Sequence, residues 1–324
     1  MRRQRGPVVI DLFSGAGFFG YAFQKAGFSV AASYEKEGTA AASNALNVKS
    51  VVQVADLAST RPTGRCDVLI SGPPCQGFSS LGHRLTDDPR NNLCLLIPAW
   101  ASVTKARVVV VENVPRFLKS EAWSAMTDKL AKLGFSVDAW ILNAREFGVA
   151  QNRVRSISIY FKGDHPEIRR PVNSSTSVEE ALAGLPCFPT KNVQHFTLTP
   201  TALMLRRIQL VPYGGDIRDI HKADPSLVPA AWLKVRDKIV DIWGRLTWEG
   251  LSNTIRTGFL DPSRGRFTHP VEDRPISFRE AARLQSIPDG FIFAGRPKAM
   301  ARQIGNGVPF NLGKAIAEAV LTIL

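Results

Sequence analysis

The chain predicts an α/β protein: a mostly parallel sheet covered on both faces, joined to a second, smaller, loop-rich region. Three observations carry this. Short apolar runs alternate with helical stretches through the first half, as strands buried between helix layers do. Beyond about residue 163 the alternation stops, and Pro166, Pro171, Pro186, Pro189, Pro200, Pro212, Pro225, Pro229 and Gly214-Gly215 crowd the chain, leaving regular βαβ units little room. From Phe310 a helical pattern resumes, with Leu312, Ile316, Ala319, Val320 and Ile323 on one side, and such a helix needs a core to cover. The expected domains are therefore 1–163 with 297–324, and 164–296.

Val8-Val9-Ile10 is the first strand, and Asp11-Leu12-Phe13-Ser14-Gly15-Ala16-Gly17 turns from it into a helix. Closely spaced glycines permit a tight turn and let a ligand approach the backbone; an ordinary strand-to-helix turn looks the same. No Lys-Ser/Thr element follows, which disfavours a nucleoside triphosphatase. The second strand, Phe28-Ser29-Val30-Ala31-Ala32, leads to Glu35, and Val51-Val52-Gln53-Val54-Ala55 leads to Asp56. Carboxylates at these strand ends suit ribose hydroxyls and an adenine amino group, or are solvated loop acids. Phe13 either packs in the core or lies against the ligand. Crossover helices are expected at Ala40 to Leu46, Leu93 to Thr104 and Trp123 to Leu133.

Asp67-Val68-Leu69-Ile70 runs straight into Ser71-Gly72-Pro73-Pro74-Cys75-Gln76-Gly77-Phe78-Ser79. Two prolines hold the thiol on a stiff backbone and Gly77 lets the chain bend away, whereas an inert cysteine more often sits inside an apolar run. Cys75 is the candidate nucleophile. Cys66, Cys94 and Cys187 lack that setting and read as structural. Their spacings form neither a disulfide framework nor a zinc pattern, and the histidines add no metal spacing. The polar stretch from Gln76 to Asn92, with Ser79, Arg84 and Arg90, reads as a loop that closes over substrate or as an ordinary exposed loop. Val108-Val109-Val110-Val111 ends in Glu112-Asn113-Val114-Pro115, which can place a carboxyl group in the same crevice. Gln151-Asn152-Arg153-Val154-Arg155 opens the strand Ser156 to Phe161. In an extended chain Gln151, Arg153 and Arg155 share one face, either beside a polar substrate or on an edge-strand surface.

With 324 residues the chain can bury one large core and a smaller one, and 44% hydrophobic residues oppose disorder. Forty-one Lys and Arg against 28 Asp and Glu give a formal charge of +13, which favours a polyanionic partner. The apolar stretch after the basic start is broken by Asp11, Ser14 and glycines, so neither a signal peptide nor a bilayer span is expected. A cytoplasmic monomer without membrane contact is the corresponding expectation.

In this order, and over nearly all of the chain outside roughly 165–245, the segments resemble the DNA cytosine-5 methyltransferase family of bacterial restriction-modification type. Asp11 to Gly17 resembles its cofactor turn, Pro73-Pro74-Cys75-Gln76 its nucleophile motif, Glu112-Asn113-Val114 its acid motif and Gln151 to Arg155 its Gln-x-Arg-x-Arg motif. Arg279-Glu280-Ala281-Ala282-Arg283-Leu284-Gln285 and Gln303-Ile304-Gly305-Asn306-Gly307-Val308-Pro309 resemble the two late motifs. The resemblance implies a Rossmann-like, S-adenosylmethionine-dependent methyltransferase sheet with a smaller DNA-recognition domain. It implies that Cys75 adds to C6 of a flipped cytosine, Glu112 engages N3 and the exocyclic amine, and Arg155 binds O2. Arg153 would support the pocket or contact the backbone, alongside Gln76, Ser79, Asn113 and Gln151. S-adenosylmethionine would meet Asp11, Phe13, Gly15, Gly17, Glu35, Asp56, Pro73 and Asn306. One departure stands out: family members usually carry another glycine after the position of Gly17, where this chain has Phe18.

The implied partner is double-stranded DNA, with a cognate restriction endonuclease acting separately. Arg206, Arg207, Arg218, Arg245, Thr254 and Arg256, with Arg84 and Arg90, are the candidates for DNA contact; phosphate contacts position and base-edge contacts specify. Methylation of transfer RNA, known from a branch of the same family, is the nearest alternative. A nucleic-acid-binding protein with a decayed site is another, opposed by the joint presence of Cys75, Glu112 and Arg155.

Overall fold

The structure is a computed structural model that describes residues 6–74, 89–171, 176–186, 194–236 and 238–324. It divides into two compact units, one of Met1–Phe147, Val154–Asn173 and Gly307–Leu324, the other of Gly148–Arg153 and Ser174–Asn306. Relative to the sequence expectation, 148–153 and 297–306 fall with the second unit and 164–173 with the first.

The first unit is built on β1 (Val8–Leu12), β2 (Ser29–Glu35), β3 (Val51–Val54), β4 (Val68–Ser71), β5 (Val108–Asn113) and β6 (Ser136–Asn143). After the short β7 (Gln151–Asn152), which belongs to the second unit, β8 (Val154–Phe161) completes the sheet. Among the described residues, seven strands pair in the order β3-β2-β1-β4-β5-β8-β6. β1 pairs in parallel with both β2 and β4, and β8 is antiparallel to both β5 and β6. The chain thus winds outward in one direction from β1 to β3 and in the other from β4, which makes the β1/β4 boundary the point where ligands bind in open sheets of this kind.

The central strands are apolar throughout because helices cover them: Val68, Leu69, Ile70, Val109 and Val110 have no exposed surface. β6 is a strand that periodicity does not announce. At the sheet edge it mixes Asp138 and Ala139 with Trp140 and Ile141, and Ile141 stays 55% exposed.

The helices α1 (Phe18–Lys25), α2 (Gly38–Asn47), α3 (Ile97–Thr104) and α4 (Glu121–Ala131) are the crossovers. Two have side-chain caps at their N-termini, where backbone N–H groups lack helical partners: the Ala40 N–H donates to Glu37 at 2.9 Å, and the Trp123 N–H to Ser120 Oγ at 3.1 Å. α3 begins later than the expected Leu93, because Pro89–Leu96 is a 3-10 segment. Pro98 then sits in the first turn, where its missing N–H costs nothing. Leu312, Ile316, Ala319 and Val320 of the C-terminal helix (Phe310–Leu321) are buried, and the helix lies along α1.

The second unit has α5 (Val178–Leu182), α6 (Ala202–Gln209), α7 (Ile217–Ala223), α8 (Ala230–Leu233), β9 (Ser252–Asn253), α9 (Phe278–Arg283) and α10 (Pro297–Asn306). β7 pairs in parallel with β9. Ile208, Val211, Ile217, Ile220, Trp232 and Trp243 form a small core. Loops of this density leave carbonyls without ladder partners, and a buried carbonyl needs a donor. Arginine side chains supply it. Arg245, 5% exposed, donates to the carbonyls of Val211 (3.0 Å), His269 (3.0 Å), Glu272 (2.8 Å) and Ile208 (3.2 Å) and to Asp273 (2.6 Å). Arg266 donates to the carbonyls of Gly214, Gly215 and Arg245 and to Asp241. No helix among the described residues is long and apolar enough to cross a membrane.

Candidate active site

The register of the sheet places the sequence motifs side by side. Leu12 of β1 is opposite Ser71 of β4, and Ser71 is opposite Val111 of β5. The turn after Leu12, the exit after Ser71 and the Glu112-Asn113 end of β5 therefore emerge along one edge. β8 runs the other way, so its start reaches that edge too: Asn113 is opposite Ser156, next to Arg155. Glu35 and Val54 end the neighbouring strands β2 and β3 in register.

On the β1–β3 side, the turn is held in an uncommon conformation. Phe13, Gly15 and Gly17 have φ of 56°, 55° and 90°, which a phenylalanine adopts only at a cost. The Gly15 N–H donates to Glu35 Oε2 at 2.8 Å, and the Glu37 N–H to Glu35 Oε1 at 2.8 Å. A Cβ on Gly15 would meet nothing within 4 Å, whereas one on Gly17 would fall 2.7 Å from Asn44 of α2. The two glycines thus differ: Gly15 leaves open space above the turn, and Gly17 lets α2 approach. Phe13 is partly buried against the core.

Asp11 lies beneath the turn, 1% exposed, with Oδ2 lacking a partner among the described residues. Burial pushes its carboxyl well above the usual range, against a hydrogen bond from the Gly20 backbone. Asp56 is half-buried, held below the ordinary carboxylate range by Lys36 at 2.6 Å, and also accepts from the Ala58 N–H. The sequence missed Lys36 in this role, although it follows Glu35 directly at the strand end.

On the β4–β5–β8 side, Glu112 and Arg155 form an ion pair, Oε1 to Nε 3.0 Å, with side chains 11% and 14% exposed. Arg155 Nη1 also donates to the Val154 carbonyl at 2.7 Å. The Glu112 carboxylate lies over Gly72, where a Cβ would stand 3.6 Å from Oε2. Asn113 Nδ2 donates to the carbonyl of the buried Pro73 at 3.1 Å, while its Oδ1 accepts from the Val114 N–H at 2.8 Å. The acid segment is thereby clamped to the exit that leads to Cys75. Cys75, Gln76, Ser79 and Arg84, with Cys187, lie outside the described residues, as does the side chain of Arg90. Cys66 and Cys94 are buried, and burial pushes both thiols up to about 11. That is the wrong direction for a nucleophile.

The row of Gln151, Arg153 and Arg155 is not continuous. The ladder breaks at Arg153, between β7 and β8, and the three side chains part company. Gln151 is fully buried, accepting from the Ile255 N–H at 2.8 Å and donating to the Leu284 carbonyl at 3.2 Å. Arg153, 1% exposed, donates to the carbonyls of Ile255 (3.1 Å) and Gly305 (3.0 Å). Both therefore hold the second unit's own backbone, and the catalytic expectation for Arg153 gives way to a positioning one. Only Arg155 joins Glu112.

Among the expected DNA contacts, Arg245 is corrected outright: its guanidinium is buried in the loop network. Arg207 donates to the Leu227 carbonyl at 2.7 Å and lies 5.1 Å from the Trp243 ring, and Arg218 is held by both oxygens of Asp216. Thr254 Oγ1 donates to the Asn152 carbonyl at 2.7 Å. Arg206, 67% exposed in its side chain, and the exposed Arg256 keep accessible charges. Asn306, the last residue of α10, is exposed.

Residues 8–322 match the family model described as C-5 cytosine-specific DNA methylase. The chain is 34% identical to the Type II methyltransferase M1.HphI of Haemophilus parahaemolyticus, over 96% of this chain and 86% of that one. It is 30% identical to the Type II methyltransferase M.XorII of Xanthomonas oryzae pv. oryzae, over 98% and 85%. Its fold is that of a putative DNA modification methyltransferase encoded within an E. coli prophage, with a TM-score of 0.70 and 24% identity over 98% of this chain and 99% of that one. The sheet order, the motifs along its edge and these matches have one conclusion: the chain belongs to the C-5 cytosine-specific DNA methylases and is an S-adenosylmethionine-dependent cytosine-5 methyltransferase.

Proposed function

We propose that the chain methylates C5 of a cytosine flipped out of a specific double-stranded DNA sequence, through a covalent bond between Cys75 and C6. The observation that carries this is the nearly buried Glu112–Arg155 pair beside the backbone exit to Cys75. A cytosine ring is a poor carbon nucleophile until a thiolate adds to C6 and moves electron density onto C5. Cys75 would supply that thiolate, because deprotonated thiols are strong nucleophiles. Glu112 would engage N3 and the exocyclic amine, and Arg155 would meet O2 as negative charge grows there. Such contacts lower the barrier when they strengthen in the transition state. Loss of the C5 proton and expulsion of the Cys75 thiolate then restore the ring.

S-adenosylmethionine, when bound, supplies an electrophilic methyl group. The β1–β3 edge fits it: open space above Gly15 and carboxylates at two adjacent strand ends. Glu35 would accept from ribose hydroxyls, Asp56 from the adenine amine, and Asn306 would hold the methionine end. Phe13 and Pro73 would border the ligand, with Asp11 and Gly17 shaping the turn. Flipping costs a few kcal/mol, offset by contacts to the opened duplex. In this reading the first unit performs the chemistry, and the second selects the sequence with Arg206, Arg256 and the other accessible cations. In the same reading the enzyme is a cytoplasmic monomer that works beside a cognate restriction endonuclease.

Incubating the protein with labelled cofactor and either duplex DNA or transfer RNA tests the substrate class. Methyl groups are expected in duplex cytosines, and labelling confined to transfer RNA would overturn the DNA assignment.

A further inference from the structure

The residue that departs from the family pattern, Phe18, has a specific counterpart within the first unit. It opens α1 directly after Gly17 and is 3% exposed. A Cβ placed on Gly307 would fall 1.8 Å from Phe18 Cδ2 and 2.1 Å from Cε2. Ordinary carbon contacts need roughly twice that separation. The ring therefore occupies the volume that any side chain at 307 would take. Gly307 is not among the glycines with positive φ, so backbone conformation does not require glycine there; the ring does.

The ring is buried, and the neighbouring positions of α1 are packed as well. Phe19 packs edge-on against Phe23, with centroids 5.2 Å apart, and Tyr21 meets Phe310 at 5.7 Å. Further along the same helix pair, a Cβ on Gly313 would lie 2.9 Å from that of Ala22. α1 and the C-terminal helix are thus keyed at successive turns, with Phe18–Gly307 at the end nearest the cofactor turn. In the chain, Phe18 follows that turn directly and Gly307 follows Asn306 directly.

We propose that Phe18 is a positioning residue for the cofactor: its ring, seated on Gly307, fixes where the chain resumes after Asn306 relative to the turn ending at Gly17. This rests on the cofactor reading given above. The bulky residue and the bare glycine act as one unit. Enlarging the glycine and shrinking the ring each disturb it, and doing both recovers part of the fit, because mutations at touching residues are not additive.

The test is binding of S-adenosylhomocysteine by calorimetry, together with melting temperature and the split of KM for S-adenosylmethionine against kcat. It uses F18L, F18A, G307A and F18A/G307A. F18A and G307A are expected to weaken binding about tenfold, a shift of about 1.4 kcal/mol, and F18L to weaken it less than F18A, because leucine fills part of the ring's volume. KM should rise with little change in kcat, as for lost uniform binding. F18A/G307A should bind more tightly than G307A alone. If F18A and G307A melt earlier yet bind with wild-type affinity below both melting temperatures, the contact is structural only and the proposal fails. An additive double variant also overturns it, and should F18A not fold, G307A against F18A/G307A still decides. No binding by wild type would instead overturn the cofactor reading itself.

Discussion

Replacing Arg155 with methionine removes the charge beside Glu112 and keeps most of the side-chain volume. The pair spans 3.0 Å, and its side chains are 14% and 11% exposed, so water screens it far less than a surface pair worth about 0–1 kcal/mol. A hydrogen bond to a charged group contributes about 1.5–3 kcal/mol, and breaking a buried pair costs at most about 3–5 kcal/mol. With net stabilities of about 5–15 kcal/mol, the fold is expected to survive. The rate should fall further than stability alone dictates. A donor aimed at developing charge is worth about 2.7–4 kcal/mol, or about 100- to 1000-fold in the chemical step. Single-turnover methylation at saturating protein, measured beside duplex affinity at fixed salt, separates the effects. The expected result is a rate loss of that size with affinity within about twofold of wild type. Equal losses in rate and affinity, or a rate within about threefold of wild type, would refute a transition-state role for Arg155.

In the second unit, Arg245→Met should lower stability by about 3–5 kcal/mol, read as a shift in urea midpoint, because it strands Asp273 and the carbonyls the guanidinium serves. Arg256→Ala should leave that midpoint unchanged and reduce the salt slope of DNA binding by about one, if the exposed guanidinium meets a phosphate. Cys66 and Cys94, with thiols pushed up to about 11, should resist alkylation at neutral pH in the folded protein, and Cys94→Ala should keep methyl transfer; loss of transfer with the fold intact would count against Cys75. Acid should destabilise the second unit in two stages. Burial holds His269 below 6.5, and for Glu280 burial raises the pKa but Arg274 outweighs it and holds the carboxyl below 4.5. Both groups are depressed in the folded state, so their contribution is present above the unfolded values and lost as pH falls through the folded ones. His269→Gln should remove the stage that begins below about 6.5, and unfolding midpoints against pH in both proteins would show whether it does.

Much of the chemical edge was legible because each motif directly follows or begins a strand, and a parallel sheet delivers such ends to one side. Glu112 could be placed for that reason, whereas Arg155 begins its strand and reaches the same edge only because β8 runs antiparallel to β5, which the apolar run of that strand does not reveal. The partners of Gln151 and Arg153 could not be read in advance: they lie about a hundred or more residues away, at Ile255, Leu284 and Gly305, and a local period of two assumes an unbroken ladder. Arg245 misled in the same way, since a basic residue in a polar stretch looks the same whether it faces phosphate or satisfies loop carbonyls. β6 was missed because an edge strand need not alternate cleanly, and the seat of Phe18 on Gly307 joins the two ends of the chain.

The central claim is that Cys75 forms the bond to the cytosine, and a duplex carrying 5-fluorocytosine at the methylated position tests it directly. With fluorine in place of the C5 hydrogen there is no proton to lose after methyl transfer, so the Cys75 thiolate cannot be expelled by elimination and the Cys75–C6 bond should persist. Mass spectrometry of digested protein is predicted to find the nucleotide adduct on the peptide containing Cys75, and none with Cys75→Ala. An adduct on another residue, or methylation of ordinary duplex by Cys75→Ala, would contradict the account.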